Sequence, residues 1–183
     1  MDLKTRILCL LLEERYTPRS IREIAQTLKA DYKNTYNAVM ALKDSLHLRK
    51  VGASYQITTN NKLTPDLFTA EAERTKSIQL KTLVQDIKDI QDPFFIAIIF
   101  GSHAKKQATK KSDVDLCIIT NTPTLSETIL KKTQIFPFPV EIHSFTTKQF
   151  ISMMQSTQPS VAREIAQHGV IVRNTEAYYD LIR

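Results

Sequence analysis

Apolar positions crowd the start of the chain. Ile7, Leu8, Leu10, Leu11 and Leu12, following Asp2, predict a helix that is apolar over more than one face and ends near Tyr16-Thr17-Pro18, where proline stops it. Ser20-Ile21-Arg22-Glu23 has the form of a capping box, and Ile21, Ile24, Ala25 and Leu28 repeat behind it at helical spacing. Asp31 then caps a third helix, Tyr32 to about Leu46, with Tyr36, Val39, Met40, Leu42 and Leu46 mostly inward and Lys33, Asn34, Asn37 and Lys43 outward. From Leu48 to Ile57 the pattern predicts two short strands with Gly52 at the turn and the basic pair Arg49 and Lys50 on the first. Thr64-Pro65 starts a further helical stretch whose stripe, Ile78, Leu83, Val84, Ile87 and Ile90, runs up to Pro93 as one long helix or two short ones. That stripe packs either on a domain of the same chain or on a second copy in a homodimer.

The pattern changes at residue 93. Phe94 to Phe100 is continuously apolar between Pro93 and Gly101, which predicts a strand buried on both faces. Gly101 stands where that strand turns, and its missing side chain lets a phosphate approach the backbone. His103 to Ala108 is a short helix-capable segment, Thr109-Lys110-Lys111-Ser112 a loop, and Val114 to Ile119 the next strand. Alternation along it puts Asp113 and Asp115 on one face and Val114 and Leu116 on the other. Two carboxylates side by side repel, so a divalent cation between them is expected, and hard oxygen donors favour Mg²⁺ or Mn²⁺. Glu141, between Val140 and Ile142 in the run Phe138 to Phe145, supplies a third carboxylate for the same cage.

Composition narrows the picture. The chain has 183 residues, 42% hydrophobic and 24% charged, within the range of a globular protein of one domain or two small ones. No apolar run reaches the length of a membrane span and no secretory leader pattern opens the chain, so a cytoplasmic protein without membrane contact is expected. Cys9 and Cys117 form neither a CxxC pair nor a disulfide framework and read as core residues. The histidines, His47, His103, His143 and His168, lack metal-ligand spacing, so any metal is expected on oxygen alone. Charge is uneven: residues 1–62 carry 11 basic against 6 acidic groups, whereas 63–92 carry 4 against 6 and 93–183 carry 10 against 7.

Three helices followed by a basic hairpin resemble a winged helix-turn-helix. Lys33, Asn34, Asn37 and Lys43 would face a groove of duplex DNA, with Arg49 and Lys50 along the backbone. Domains of this pattern also serve for dimerisation or protein docking, and the residues alone leave both roles open.

The C-terminal half resembles the nucleotidyltransferases of the DNA-polymerase-β type, and in particular their minimal members. The shared pattern is an apolar strand, Gly101-Ser102, ten intervening residues, Asp113-Val114-Asp115, and later an acid between apolar neighbours, Glu141; Arg163 to Val172 is similar to the family's closing helix, glycine and strand. Two departures stand out: Lys105 and Lys106 where small members carry arginine and glycine, and Arg173-Asn174 where a final glycine is usual. The resemblance implies transfer of a nucleoside monophosphate from an NTP, with ATP the expected donor. It makes Asp113, Asp115 and Glu141 the metal-binding catalytic residues and Gly101, Ser102, Lys105, Lys111 and Ser112 the nucleotide-binding ones. In minimal relatives the acceptor can be a partner protein such as a HEPN-type toxin. The whole reads as an α+β chain: a winged helix-turn-helix at 1–62, a helical connector at 63–92 and a mixed-sheet nucleotidyltransferase domain at 93–183. A DNA-binding regulator whose second domain only senses nucleotide is the rival reading. An antibiotic-modifying transferase fits less well, because the acceptor-binding half is short and holds few acids for a polycationic drug.

Overall fold

The computed structural model describes residues 1–92 and 94–183; Pro93, which marks a boundary in the sequence pattern, lies outside the described residues. The chain divides into two compact units, residues 1–74 together with Arg183, and residues 75–182.

The first unit opens with α1 (Leu3–Glu13), capped by Asp2 accepting from the Thr5 amide, and continues through β1 (Arg19–Ser20) into α2 (Ile21–Leu28). Ser20 and Glu23 close the capping box in both directions, each satisfying an otherwise orphaned amide of the other's turn. Helix α3 (Tyr32–Ala41) starts on Asp31 and is followed by the hairpin of β2 (Leu46–Val51) and β3 (Ser54–Thr59), turning on Gly52 at φ +59°. The sheet order is β1-β3-β2, all antiparallel. Ile7, Leu8, Leu11, Leu12, Ile24, Val39, Leu42 and Ile57 form its interior.

Two expectations are corrected here. Helix α3 ends at Ala41, not near Leu46: the Leu42 amide is shared between the Ala38 and Val39 carbonyls and Ser45 bonds back to Leu42, so the chain tightens into a turn and Leu46 opens β2. Leu42 and Leu46 are four apart, which suits a helix, but one seals the turn and the other fills the sheet. Tyr36 is also more exposed than an inward position implies, at 38%.

Helix α4 (Pro65–Ser77) carries the boundary between the units, and α5 (Lys81–Lys88) belongs to the second. The second unit is built on β4 (Phe95–Phe100), β5 (Val114–Thr120), β6 (Val140–Phe145) and β7 (Val170–Arg173), ordered β6-β5-β4-β7. Strand β4 runs antiparallel to β5 and β7 while β5 and β6 are parallel, which makes the sheet mixed. All of β4 is buried, as a strand covered on both faces requires.

Alternation sorts the two faces. Phe95, Ala97, Ile99, Val114, Leu116 and Ile118 meet Leu83 and Ile87 of α5 with Leu125 and Ile129 of α7 (Pro123–Thr133). The opposite face is covered by α8 (Thr147–Gln155), α9 (Val161–His168) and α10 (Thr175–Ile182), with Phe145, Phe150, Tyr178 and Tyr179 in successive ring contact. A side chain at Gly169 would strike the Ile165 carbonyl and Ile98, so glycine lets the end of α9 lie directly on β4. No helix among the described residues is long and apolar enough to cross a membrane.

Candidate functional site

The turn out of β4 sets the site. Gly101 takes φ +63° and begins the short helix α6 (Gly101–Ala104), which occupies less of the 103–108 segment than the sequence suggests. Lys106, at φ +58°, leaves the helical region, and the Gln107 amide closes onto the Ser102 carbonyl. Lys106, and Asn174 at φ +57°, both take the left-handed backbone that glycine would favour.

Register brings the acids to that turn. Phe100 pairs with Asp115 across β4 and β5, and Asp115 pairs with Glu141 across β5 and β6, so one row of the sheet carries the end of the buried strand and two carboxylates. A Cβ built on Gly101 would overlap the Asp115 carboxylate. The bare Cα leaves room for Asp115 Oδ2.

Asp115, Glu141 and His143 each offer a ligand atom, and these atoms all lie within 4.8 Å of one another. His143 Nε2 is 3.4 Å from Glu141 Oε1, and the imidazole stands edge-on to Phe100 with centroids 5.1 Å apart. Burial pushes the Asp115 carboxyl above its usual range; Glu141, Glu164 and Asp113 add to the shift and His143 opposes it. A half-buried carboxylate with further acids beside it and an imidazole at hand is a donor set that a divalent cation would relieve, so the residues fit such an ion.

The remaining candidates are placed as follows. Asp113 is exposed just before β5 and does not join the close group, although its charge is felt at Asp115. Lys105 caps α6 and its ammonium donates to Glu164 Oε1 at 2.7 Å. Ser112 Oγ accepts from the Thr109 amide at 2.9 Å and closes its own loop, where Lys111 is exposed. Ser102 is half-buried on α6. In the first unit, Lys33, Asn34 and Asn37 lie exposed on α3, Lys43 in the following turn, and Arg49 and Lys50 on β2.

Two residues escape the sequence reading. The scattered histidines show no metal-ligand spacing, and only the alternation of His143 with Glu141 along β6 marks it. Glu164 sits on α9, distant in sequence, and no local signal connects it to Lys105.

A family model described as polymerase beta, nucleotidyltransferase, matches residues 79–177, more than half of the chain. No curated protein matches it.

Proposed function

The chain belongs to the polymerase beta nucleotidyltransferase family, and on that premise we propose that it moves AMP from ATP onto an acceptor nucleophile, releasing pyrophosphate. The observation that carries the reading is the Asp115 carboxylate lying over Gly101 beside Glu141, at the end of a buried strand. Asp115 and Glu141, with Asp113 at the mouth, would hold the divalent ions, Mg²⁺ or Mn²⁺. Such ions, when bound, neutralise the triphosphate and stabilise the charge that develops in transfer.

The chain's own groups do the rest. Gly101 and Ser102 offer backbone and hydroxyl donors to the phosphates at the turn. Lys105 exchanges Glu164 for a phosphate oxygen, and Lys111 adds charge from the adjacent loop. Glu141, with its side chain 62% exposed, is open to an incoming hydroxyl and takes its proton.

We read residues 1–62 as a winged helix-turn-helix that binds duplex DNA through the exposed Lys33, Asn34, Asn37, Lys43, Arg49 and Lys50. The acceptor is a protein, with a HEPN-type toxin the first to try. Incubation with ATP labelled at the α-phosphate and Mg²⁺ or Mn²⁺ should transfer label to an acceptor, while γ-labelled ATP should transfer none. Transfer of γ-label would point to a kinase, and failure with protein, RNA and small-molecule acceptors alike would sink the proposal.

A second reading takes support from Lys105 and Ser112, both engaged within the chain. On it the domain senses nucleotide and does no transfer. It requires salt-sensitive duplex binding that ATP alters, without pyrophosphate release.

A further inference from the structure

We propose that His143 supplies a nitrogen donor to the cation site formed with Asp115 and Glu141, and that this donor shifts the site's preference from Mg²⁺ toward first-row transition ions. The inference rests on the cation site of the proposed function and concerns what that site selects.

Three features of the fold converge on it. First, β5 and β6 are parallel with Asp115 opposite Glu141 and Cys117 opposite His143, so the strand period carries Asp115, Glu141 and His143 on one face of the sheet, Glu141 and His143 as consecutive positions of it. The imidazole therefore joins the carboxylates because of the backbone register, with no rearrangement of either strand. Second, the ring is held. Phe100, 5% exposed, presses edge-on against His143 at 5.1 Å, and the imidazole side chain is 27% exposed while Glu141 beside it is 62% exposed. A ring fixed on one side by a buried aromatic keeps Nε2 near the carboxylates, and such orientation is what a metal-ligating histidine requires. Third, His143 Nε2 lies 3.4 Å from Glu141 Oε1. Nε2 is directed to the acids.

The chemistry then separates the candidate ions. Mg²⁺ takes oxygen donors almost alone and holds water tightly, so an imidazole adds little to its binding. First-row transition ions accept imidazole nitrogen together with carboxylate, and their affinity for a mixed nitrogen and oxygen set exceeds that of a purely oxygen-preferring ion. An oxygen-only site would not discriminate in this way. A simple hydrogen bond between His143 and Glu141 would hold the carboxylate in place but would put no nitrogen on the ion.

The test titrates the full chain with Mn²⁺ alone and with Mg²⁺ as competitor, for the native sequence, His143→Asn and Asp115→Asn, and records pulsed EPR of the bound Mn²⁺. The native chain should show ¹⁴N coupling from a directly bound imidazole. His143→Asn should remove that coupling and lower the Mn²⁺ to Mg²⁺ affinity ratio by about tenfold or more. The EPR readout needs no variant, so a poorly folded mutant leaves the question answerable. If Mn²⁺ binding depends on Asp115 but shows no ¹⁴N coupling, the cation site stands and the nitrogen donor is overturned. Mn²⁺ binding that survives Asp115→Asn unchanged, or no Mn²⁺ binding by the native chain, overturns the cation site and this proposal with it.

Discussion

Gly101 combines two demands that no other residue meets: a left-handed backbone at φ +63° and the Asp115 carboxylate packed where a Cβ would stand. The left-handed conformation alone costs an L-residue about 1–2 kcal/mol. Gly101→Ala is therefore expected to lower stability by at least about that amount in urea titration, and to displace Asp115 so that divalent-ion binding weakens more than folding does. A variant as stable as the native chain, binding Mn²⁺ equally well, would show that the close approach is not needed. The thiols offer a second check at this scale. Burial pushes the Cys9 thiol up to about 11 and raises Cys117 further. At pH 8 Cys9 then presents roughly a hundredfold less thiolate than an ordinary cysteine. Both thiols should react slowly with a thiol reagent in buffer and quickly in denaturant, with the native rate rising as pH climbs toward 11. Cys9 is only partly buried, against its expected place in the core, so the sharper contradiction would be rapid labelling of the buried Cys117 at pH 8.

At the scale of elements, Arg173 shows how one side chain ties a helix to a strand. Its guanidinium donates to the carbonyls of Ile87 at 3.0 Å, Lys88 at 2.5 Å and Asp92 at 2.8 Å, and lies 4.6 Å over the Phe95 ring. It thus satisfies the orphan carbonyls at the end of α5, at the negative end of the helix dipole, and ties that helix to β7. Charged hydrogen bonds of this kind contribute about 1.5–3 kcal/mol. Arg173→Ala should cost about 3 kcal/mol in denaturant unfolding, and Arg173→Lys, which lacks the fork, should recover only part of it. A loss below about 0.5 kcal/mol, the size expected of an ordinary surface position, would mean that the carbonyls find water as readily.

Elements also explain what could be read from the chain alone. The capping box at Ser20 and Glu23 was legible because both partners lie within one turn, and β4 because its apolar run is unbroken. Asp113 and Asp115 were legible as a pair for the same local reason. Their separation was not: the strand register places Asp115 beside Glu141 and His143, whereas Asp113 lies just outside the strand. His143 became visible only through parallel pairing between segments joined by α7, and the Lys105 to Glu164 contact only through the packing of α6 and α9. Local chemistry writes itself into the sequence. Long-range pairing does so only through alternation, which suits many registers. The end of α3 failed for a related reason, since Leu42 and Leu46 satisfy helical spacing whether they share a helix or not.

For the molecule as a whole, charge is unevenly distributed along the chain. Residues 1–62 carry 11 basic against 6 acidic groups, and Lys33, Asn34, Asn37, Lys43, Arg49 and Lys50, proposed above to face DNA, are all exposed. If they contact phosphates, duplex affinity should fall steeply between about 50 and 200 mM salt, and each of Arg49→Ala and Lys50→Ala should reduce the logarithmic salt slope by about 1. Absence of duplex binding at low salt would assign this surface to protein contacts.

If Asp115 anchors a nucleotidyl-transfer site, as proposed above, its loss must show in pyrophosphate release. With ATP, an acceptor and Mn²⁺ or Mg²⁺, the native chain should release pyrophosphate continuously. Asp115→Asn should fold equally well, since it relieves a carboxyl that burial disfavours, yet lose about a hundredfold or more in rate, equivalent to roughly 3 kcal/mol of transition-state stabilisation. Equal rates from the two proteins would mean that Asp115 takes no part in the transfer.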